Sequence, residues 1–297
     1  MSTRIQLRSC AKVVNMIKTV LKWTVLVIVV LGLFWGGAML FEKSLIFFPS
    51  PDSLPIQTGG TVGGCSFTDH IFSTEDGVKL HNRWFRPHSS SDADRAMRKI
   101  VLFFHGNAGN LSGRTELMVR LAALGVEVLI IDYRGYGHSE GRPSEEGVYR
   151  DARAAWKFLT VEQGIAADRI VLFGKSLGGA AAIDLASHVK PAGLIVQSSF
   201  TSVPAMASRH YPFVPAFALR TKMDSLSKIS SIDCPKLFIH STHDEIVPYE
   251  MGRQLFDAAS PPKTFLEVVG AGHNEMMAVG GKPYLESINE FLESLRE

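Results

Sequence analysis

The feature of this 297-residue chain with the clearest chemical meaning is a serine set between two glycines after an apolar run. Gly174-Lys175-Ser176-Leu177-Gly178 fits the pattern G-x-S-x-G and lies between IVLF (170–173) and LGGAAAIDLAS (177–187). A strand, a sharp turn and a helix in that order push a serine out at the top of a sheet, and small residues on either side let the neighbouring chain approach. Gly174-Lys175-Ser176 also mimics the end of a phosphate-binding loop. That loop needs a glycine five residues before Gly174, and position 169 is arginine.

A serine hydroxyl is a weak nucleophile until a base takes its proton, and the base needs an acid to orient it. In a strand–turn–helix setting the acid and then the histidine follow the serine along the chain. Asp244 follows the apolar run KLFIH (236–240), and His273 follows TFLEVV (264–269). Glu245 is a rival acid, and His240 and His243 are rival bases. His243 adjoins the acid in sequence, which makes it a poor base opposite Ser176, and His240 ends a strand, where a packed side chain is expected. The chemistry of such a set is acyl transfer, in which negative charge develops on a carbonyl oxygen. Losing one donor to that oxygen costs about 2.7–4 kcal/mol. The backbone N–H of Leu177 is the expected first donor, because it follows the nucleophile and opens a helix. The second is expected from the loop HGNAGN (105–110), at the amide of Asn107 with Ala108 as fallback. No cofactor and no metal are expected, since His240, His243 and Asp244 lack further ligands at zinc spacing. Asp132 precedes the serine, so a structural role is expected of it, and Arg134 is expected to pair with a carboxylate.

The elements that must position these residues follow a regular rhythm. Buried strands are expected at 99–104, 126–131, 170–173, 194–197, 236–240 and 264–268. Helices are expected at 111–124, 144–159 (capped by Ser144), 177–188 and 284–295. Apolar runs alternating with helical patterns imply an α/β fold with a mostly parallel, doubly wound sheet. Ligands of such sheets bind at the carboxyl ends of the strands, where each chemical motif here falls. Ahead of the alternation, two extended segments flank Glu75-Asp76-Gly77 as a hairpin, and Pro87–Arg98 reads as a polar loop. The rhythm breaks once, at a Phe-, Pro- and Met-rich insertion over 198–234, expected as a short cap.

Composition narrows the class. With 31 basic and 29 acidic residues the chain carries a net charge of +2, which gives no electrostatic footprint for nucleic acid. Three cysteines exclude a disulfide scaffold. Residues 1–22 hold Arg4, Arg8, Lys12, Lys18 and Lys22 and no acid. The next 19 residues, Trp23–Phe41, contain Thr24 as their sole polar side chain. As a helix they span about 28 Å, close to a hydrocarbon core. An uncleaved transmembrane anchor is expected. The alternative, a cleaved signal ending near Gly36 and Ala38, has a shorter apolar core. The basic flank places the N-terminus in the cytoplasm and the catalytic domain on the far side, whether periplasmic, lumenal or extracellular. Residues 42–65, with their prolines and glycines, read as a linker, and 66–297 as the catalytic domain.

Six segments in order carry a resemblance: HGNAGN (105–110), DYRGYGHSEG (132–141), GKSLGG (174–179), SSFTSVPAMAS (198–208), HDEIVP (243–248) and GAGHNE (270–275). In these the chain resembles the α/β-hydrolase superfamily, and within it the membrane-anchored group that includes α/β-hydrolase domain-containing protein 13 with its bacterial and fungal relatives. The resemblance implies an α/β-hydrolase fold and a triad of Ser176, Asp244 and His273. It leaves the substrate broad, spanning acyl esters, lysophospholipids and the thioesters of palmitoylated proteins. A membrane-anchored serine hydrolase of carboxylic ester or acyl-lipid bonds is therefore expected, with thioester cleavage as the alternative. A non-catalytic binding module on the same fold is the alternative of another class, opposed by the presence of all three triad residues.

Overall fold

The computed structural model describes residues 2–87 and 98–296. Side chains of 2–14, 31, 33–35 and 38–41 lie outside that description, as does nearly all of the loop expected over Pro87–Arg98. The strands in chain order are β1 (Phe48–Pro49), β2 (Gly60–Val62), β3 (Cys65–Ser73), β4 (Lys79–Pro87), β5 (Ile100–Phe104), β6 (Ala108–Gly109), β7 (Glu127–Ile131), β8 (Ile170–Lys175), β9 (Gly193–Gln197), β10 (Lys236–Ser241) and β11 (Lys263–Val268). Nine of them form one sheet in the order β11-β10-β9-β8-β5-β7-β4-β3-β2. From β11 to β7 every pairing is parallel, and β4, β3 and β2 add antiparallel strands at one edge. The hairpin expected around Glu75-Asp76-Gly77 joins β3 to β4.

The parallel strands are apolar throughout because both faces of the sheet are covered. Successive side chains point to opposite faces. In β5, Ile100, Leu102 and Phe104 join the core cluster on one face, while Val101 and Phe103 join the other. β8 repeats this, with Ile170 and Leu172 on one side and Val171 and Phe173 on the other. The helix Glu145–Lys157 packs Val148, Ala152 and Ala155 into the first cluster, and Ser144 caps its start by accepting the Gly147 N–H at 3.2 Å. The helix Thr115–Ala122 turns Met118, Leu121 and Ala122 into the second cluster. The helix Leu177–Ala186 is buried on all sides, and its Ala-rich sequence is what lets it lie against the sheet.

Three departures from expectation have local causes. The stretch Met276–Ser294 is two helices that meet at a kink at Gly281 (φ 51°, ψ −133°), just before Pro283: the second is the last helix expected from 284, and the first, starting at Met276, was not anticipated. A helix at Tyr249–Ala258 was not anticipated, and within the insertion a helix forms at Val203–His210, capped by Ser202. Residues 42–65, expected to link two parts, pack on the domain at several points: Phe47 is buried, β1 pairs with β6, and β2 pairs with β3. Cys65 and Cys234 are both free thiols.

The helix Ser2–Ile46 runs through the apolar stretch. Among the described residues no helix is long and apolar enough to cross a membrane, so the spanning segment expected over 23–41 is not shown.

Candidate active site

Ser176 sits between β8 and the helix Leu177–Ala186 with φ 54° and ψ −119°, a conformation a non-glycine residue adopts only when its surroundings force it. Those surroundings are explicit. The Ser176 N–H donates to the Gln197 carbonyl (2.8 Å), and its own carbonyl accepts from Gly179 N (2.9 Å) and Ser199 Oγ (2.9 Å). The flanking glycines are required by space: a Cβ at Gly174 would overlap the Gly178 carbonyl, and one at Gly178 would overlap the Phe104 carbonyl. Ser176 stands at the carboxyl end of β8, beside the loop that follows β5.

Asp244 lies beyond β10 and His273 beyond β11, and the structure brings them together. His273 Nδ1 is 2.9 and 2.8 Å from the two carboxylate oxygens of Asp244, whose side chain is fully buried. Asp244 Oδ1 also accepts the backbone N–H groups of Ile246 (3.0 Å) and Val247 (2.8 Å). Burial alone would raise this carboxyl, yet hydrogen bonding from His240 and His273, the charge of His273 and the Val247 amide hold it well below the usual carboxylate range. The acid is therefore ionised throughout the neutral range. Since a carboxylate only accepts, His273 Nδ1 carries a proton, and in the neutral form of the ring Nε2 is the nitrogen with the lone pair.

The rivals have other occupations. His240 is buried as expected, with Nε2 3.0 Å from the Val247 carbonyl and 3.5 Å from Asp244. Glu245 accepts the His273 backbone N–H (2.9 Å), which steadies the histidine loop. His243 pairs with its neighbour Thr242 (2.8 Å). One further contact ties serine and histidine loops together: Lys175 Nζ donates to Asn274 Oδ1 (3.1 Å), joining the residue before Ser176 to the residue after His273. Burial, helped by the nearby Arg114 charge, pushes Lys175 down to about 8 against the opposing pull of Asp244. Nothing in the sequence pattern singled out that bridge.

Leu177 opens its helix, so its N–H has no intrahelical acceptor. Asn107 lies in the loop after β5, where Gly106 passes so close that a Cβ there would touch the Ser176 Cβ at 3.5 Å. His105 Nδ1 is 2.7 Å from the Gly106 carbonyl, and Tyr133 and Tyr136 donate to the carbonyls of His105 and Asn107, each at 2.8 Å. Beneath them Asp132 accepts the Leu111 N–H (2.7 Å) and lies 3.3 Å from His105 Nε2, the structural role expected of it. Arg134 pairs with Asp151 (2.8 Å) and Asp76 (2.9 Å), as expected. Among the described residues no group of three His, Cys, Asp or Glu side chains is arranged to hold a metal ion.

A sharp serine turn on a mostly parallel sheet, followed along the chain by an acid-paired histidine, defines the class: this chain belongs to the α/β-hydrolase superfamily. The serine aminopeptidase S33 family matches residues 95–221. Over 271 residues the chain is 38% identical to the uncharacterized protein Rv2307c of Mycobacterium tuberculosis, a match covering 90% of this chain and 94% of that relative. It is 34% identical over 193 residues to the human α/β-hydrolase domain-containing protein 17B, covering 65% of each. The fold is similar to that of the Pyrococcus furiosus esterase Pf2001, with a TM-score of 0.69 at 21% identity over 84% of this chain and all of that one (100%). An acetyl xylan esterase from Paenibacillus sp. R4 shares it too, with a TM-score of 0.63 at 19% identity over 88% of this chain and 93% of that one.

Proposed function

We propose that this protein is a serine hydrolase of carboxylic esters. The observation that carries the reading is the pairing of His273 Nδ1 with the buried Asp244 carboxylate at 2.8 Å, on a loop bridged to the serine turn by Lys175 and Asn274. In the proposed mechanism Ser176 Oγ attacks the ester carbonyl carbon while His273 Nε2 takes the hydroxyl proton. Asp244 stabilises the imidazolium that forms, and the amides of Leu177 and Asn107 receive the oxyanion. The tetrahedral intermediate collapses as the imidazolium gives its proton to the leaving alcohol. Water then attacks the acyl carbon as His273 takes its proton, and the imidazolium returns that proton to Ser176 Oγ as the acid leaves. No step calls on a metal or cofactor.

The reading extends to a single-pass membrane anchor at 23–41, with the N-terminus in the cytoplasm and the domain on the far side. Its sequence supports this, and so does the exposure of Val25, Leu26, Val27, Ile28, Val29 and Val30 on a helix that projects an apolar surface. The insertion over 198–234 also exposes Phe213 and Phe217, which suits acyl chains drawn from a bilayer. The full-length chain in detergent micelles is expected to hydrolyse p-nitrophenyl esters, with Ser176→Ala reducing turnover at least a thousandfold. Equal rates in the two proteins would remove the proposal. A periplasmic- or lumen-dependent reporter fused after Glu297 tests the orientation; activity of a cytoplasm-dependent reporter there would reverse it.

A further inference from the structure

The chain that leaves the N-terminal helix is laid directly along the loop that carries Asn107. Phe48 N–H donates to the Asn107 carbonyl (2.9 Å) and Ser50 N–H to the Gly109 carbonyl (3.1 Å), forming the two-residue parallel pairing of β1 with β6. Pro49, which has no N–H, falls between these two donors, on the side that faces away from the loop. The return contacts run the other way. Asn107 Nδ2 donates to the Ile46 carbonyl (3.2 Å), and Asn110 Nδ2 lies 3.2 Å from the Pro51 carbonyl. The strap is fixed at both ends. Phe47 is buried in the core at 3% exposure, Ser112 Oγ donates to Asp52 at 2.5 Å, and the Gly137 N–H donates to the Ser50 carbonyl at 3.0 Å. On the helix side, the Glu42 carboxylate accepts the backbone N–H groups of Arg220 (3.0 Å) and Thr221 (2.6 Å), which ties the start of the strap to the cap insertion.

These contacts bear on the direction in which the Asn107 N–H points. That N–H belongs to the Gly106–Asn107 peptide, whose carbonyl is held by His105 Nδ1 on the opposite side of a trans plane. The next peptide, Asn107–Ala108, is held through its carbonyl by two donors, Tyr136 and the Phe48 N–H. With both flanking planes fixed, rotation of Asn107 is blocked in both dihedrals. Without the strap, one of the two donors to its carbonyl is gone, and so is the acceptor of its side-chain amide.

We propose that residues 46–50 are positioning residues for ester hydrolysis: by pairing with the loop 105–110 they hold the Asn107 amide toward the developing oxyanion. This rests on the serine hydrolase reading above. It makes the segment that joins helix to domain a working part of the site, so the geometry of the oxyanion donor depends on how the N-terminal helix is held.

The test uses the full-length chain in detergent micelles and the variant Phe48→Pro, which deletes the donor to Asn107 O. A positioning role predicts that kcat on p-nitrophenyl butyrate falls roughly ten- to a hundredfold, less than for outright loss of an oxyanion donor, while KM changes less than threefold. Phe48→Ala separates backbone donor from ring, since it keeps the N–H; equal kcat losses in the two variants would overturn the proposal. Asn107→Ala drops only the bond to the Ile46 carbonyl and avoids proline altogether. It is expected to lower kcat roughly two- to tenfold, the worth of one hydrogen bond, and an unchanged kcat would count against the strap. Amide hydrogen exchange over 105–110 reads the strap independently of activity. Faster exchange there in Phe48→Pro supports the proposal and unchanged exchange overturns it, even in a chain that hydrolyses no ester. Failure of the hydrolase reading itself shows instead as wild-type activity equal to that of Ser176→Ala.

Discussion

Replacing Asp244 by asparagine isolates what the carboxylate does for His273. Both N–H donors from Ile246 and Val247 point at Oδ1, so the asparagine carbonyl must take that place. Its NH2 group then occupies the position of Oδ2, 2.8 Å from His273 Nδ1. Rotation the other way is opposed, because it would aim the NH2 at the two backbone donors. An NH2 group only donates, so at that contact Nδ1 must accept and the imidazole proton moves to Nε2, the atom that should receive the serine proton; the asparagine Oδ1, 2.9 Å from Nδ1, competes for the other tautomer. In a serine protease of unrelated fold this tautomer error costs about 10⁴ in kcat, or about 5.4 kcal/mol at 1.36 kcal/mol per tenfold. We expect a loss of up to that order here, because the Asp244 side chain is fully buried and His273 is 5% exposed, reduced to the extent that the retained Oδ1 keeps the proton on Nδ1. The assay is steady-state hydrolysis of p-nitrophenyl butyrate by wild type and Asp244→Asn, with circular dichroism showing the fold retained. A kcat within tenfold of wild type would refute the reasoning and point to another acid.

Four further outcomes follow from the same geometry. The stability that Asp244 contributes is present above the unfolded carboxylate pKa of about 3.9 and is lost as the pH falls below it toward the depressed folded value. The gap in urea midpoint between wild type and Asp244→Asn is therefore expected to narrow from pH 6 to pH 3; a gap that widens contradicts the assignment. Lys175→Met removes the bridge to Asn274 and should lower kcat roughly two- to tenfold, the range for one hydrogen bond; unchanged kinetics would mean the histidine loop needs no such tie. Gly178→Ala places a methyl against the Phe104 and His105 carbonyls. It should destabilise the fold by about 1–3 kcal/mol, read as a lower thermal midpoint, and an unshifted midpoint would argue against that packing. Glu245→Gln keeps an acceptor for the His273 N–H, so its thermal midpoint should stay closer to wild type than that of Glu245→Ala.

Much of the sheet and most of the proposed site were legible because each rests on local pattern. The run Ile100–Phe104 is apolar at every position, which only a strand covered on both faces tolerates, and its odd and even members do divide between two cores. The serine turn announces itself through its glycines: Gly174 answers a steric demand from Gly178, close in sequence, although Gly178 answers one from the Phe104 carbonyl on the neighbouring strand. The chain order of acid and histidine pointed to Asp244 and His273 while leaving Glu245, His240 and His243 as rivals, and the hydrogen bonds of His240 and Glu245 show those two engaged elsewhere. The strap at Phe48–Pro49 was not legible. It is two residues long, joins segments about sixty positions apart, and works through backbone groups that every residue but proline carries. Side-chain types leave no periodic trace of such a pairing. The last helix was legible from Gly280, Gly281 and Pro283, which do break the chain at Gly281, whereas the short helix before them, whose Met276 is buried, left no clear pattern.

The most direct test of the account is labelling of the full-length protein with a fluorophosphonate, followed by peptide mass spectrometry. The account predicts one adduct, on Ser176, lost in Ser176→Ala and strongly slowed in His273→Ala. A folded wild-type chain that takes no label, or one labelled equally well without Ser176, would contradict it.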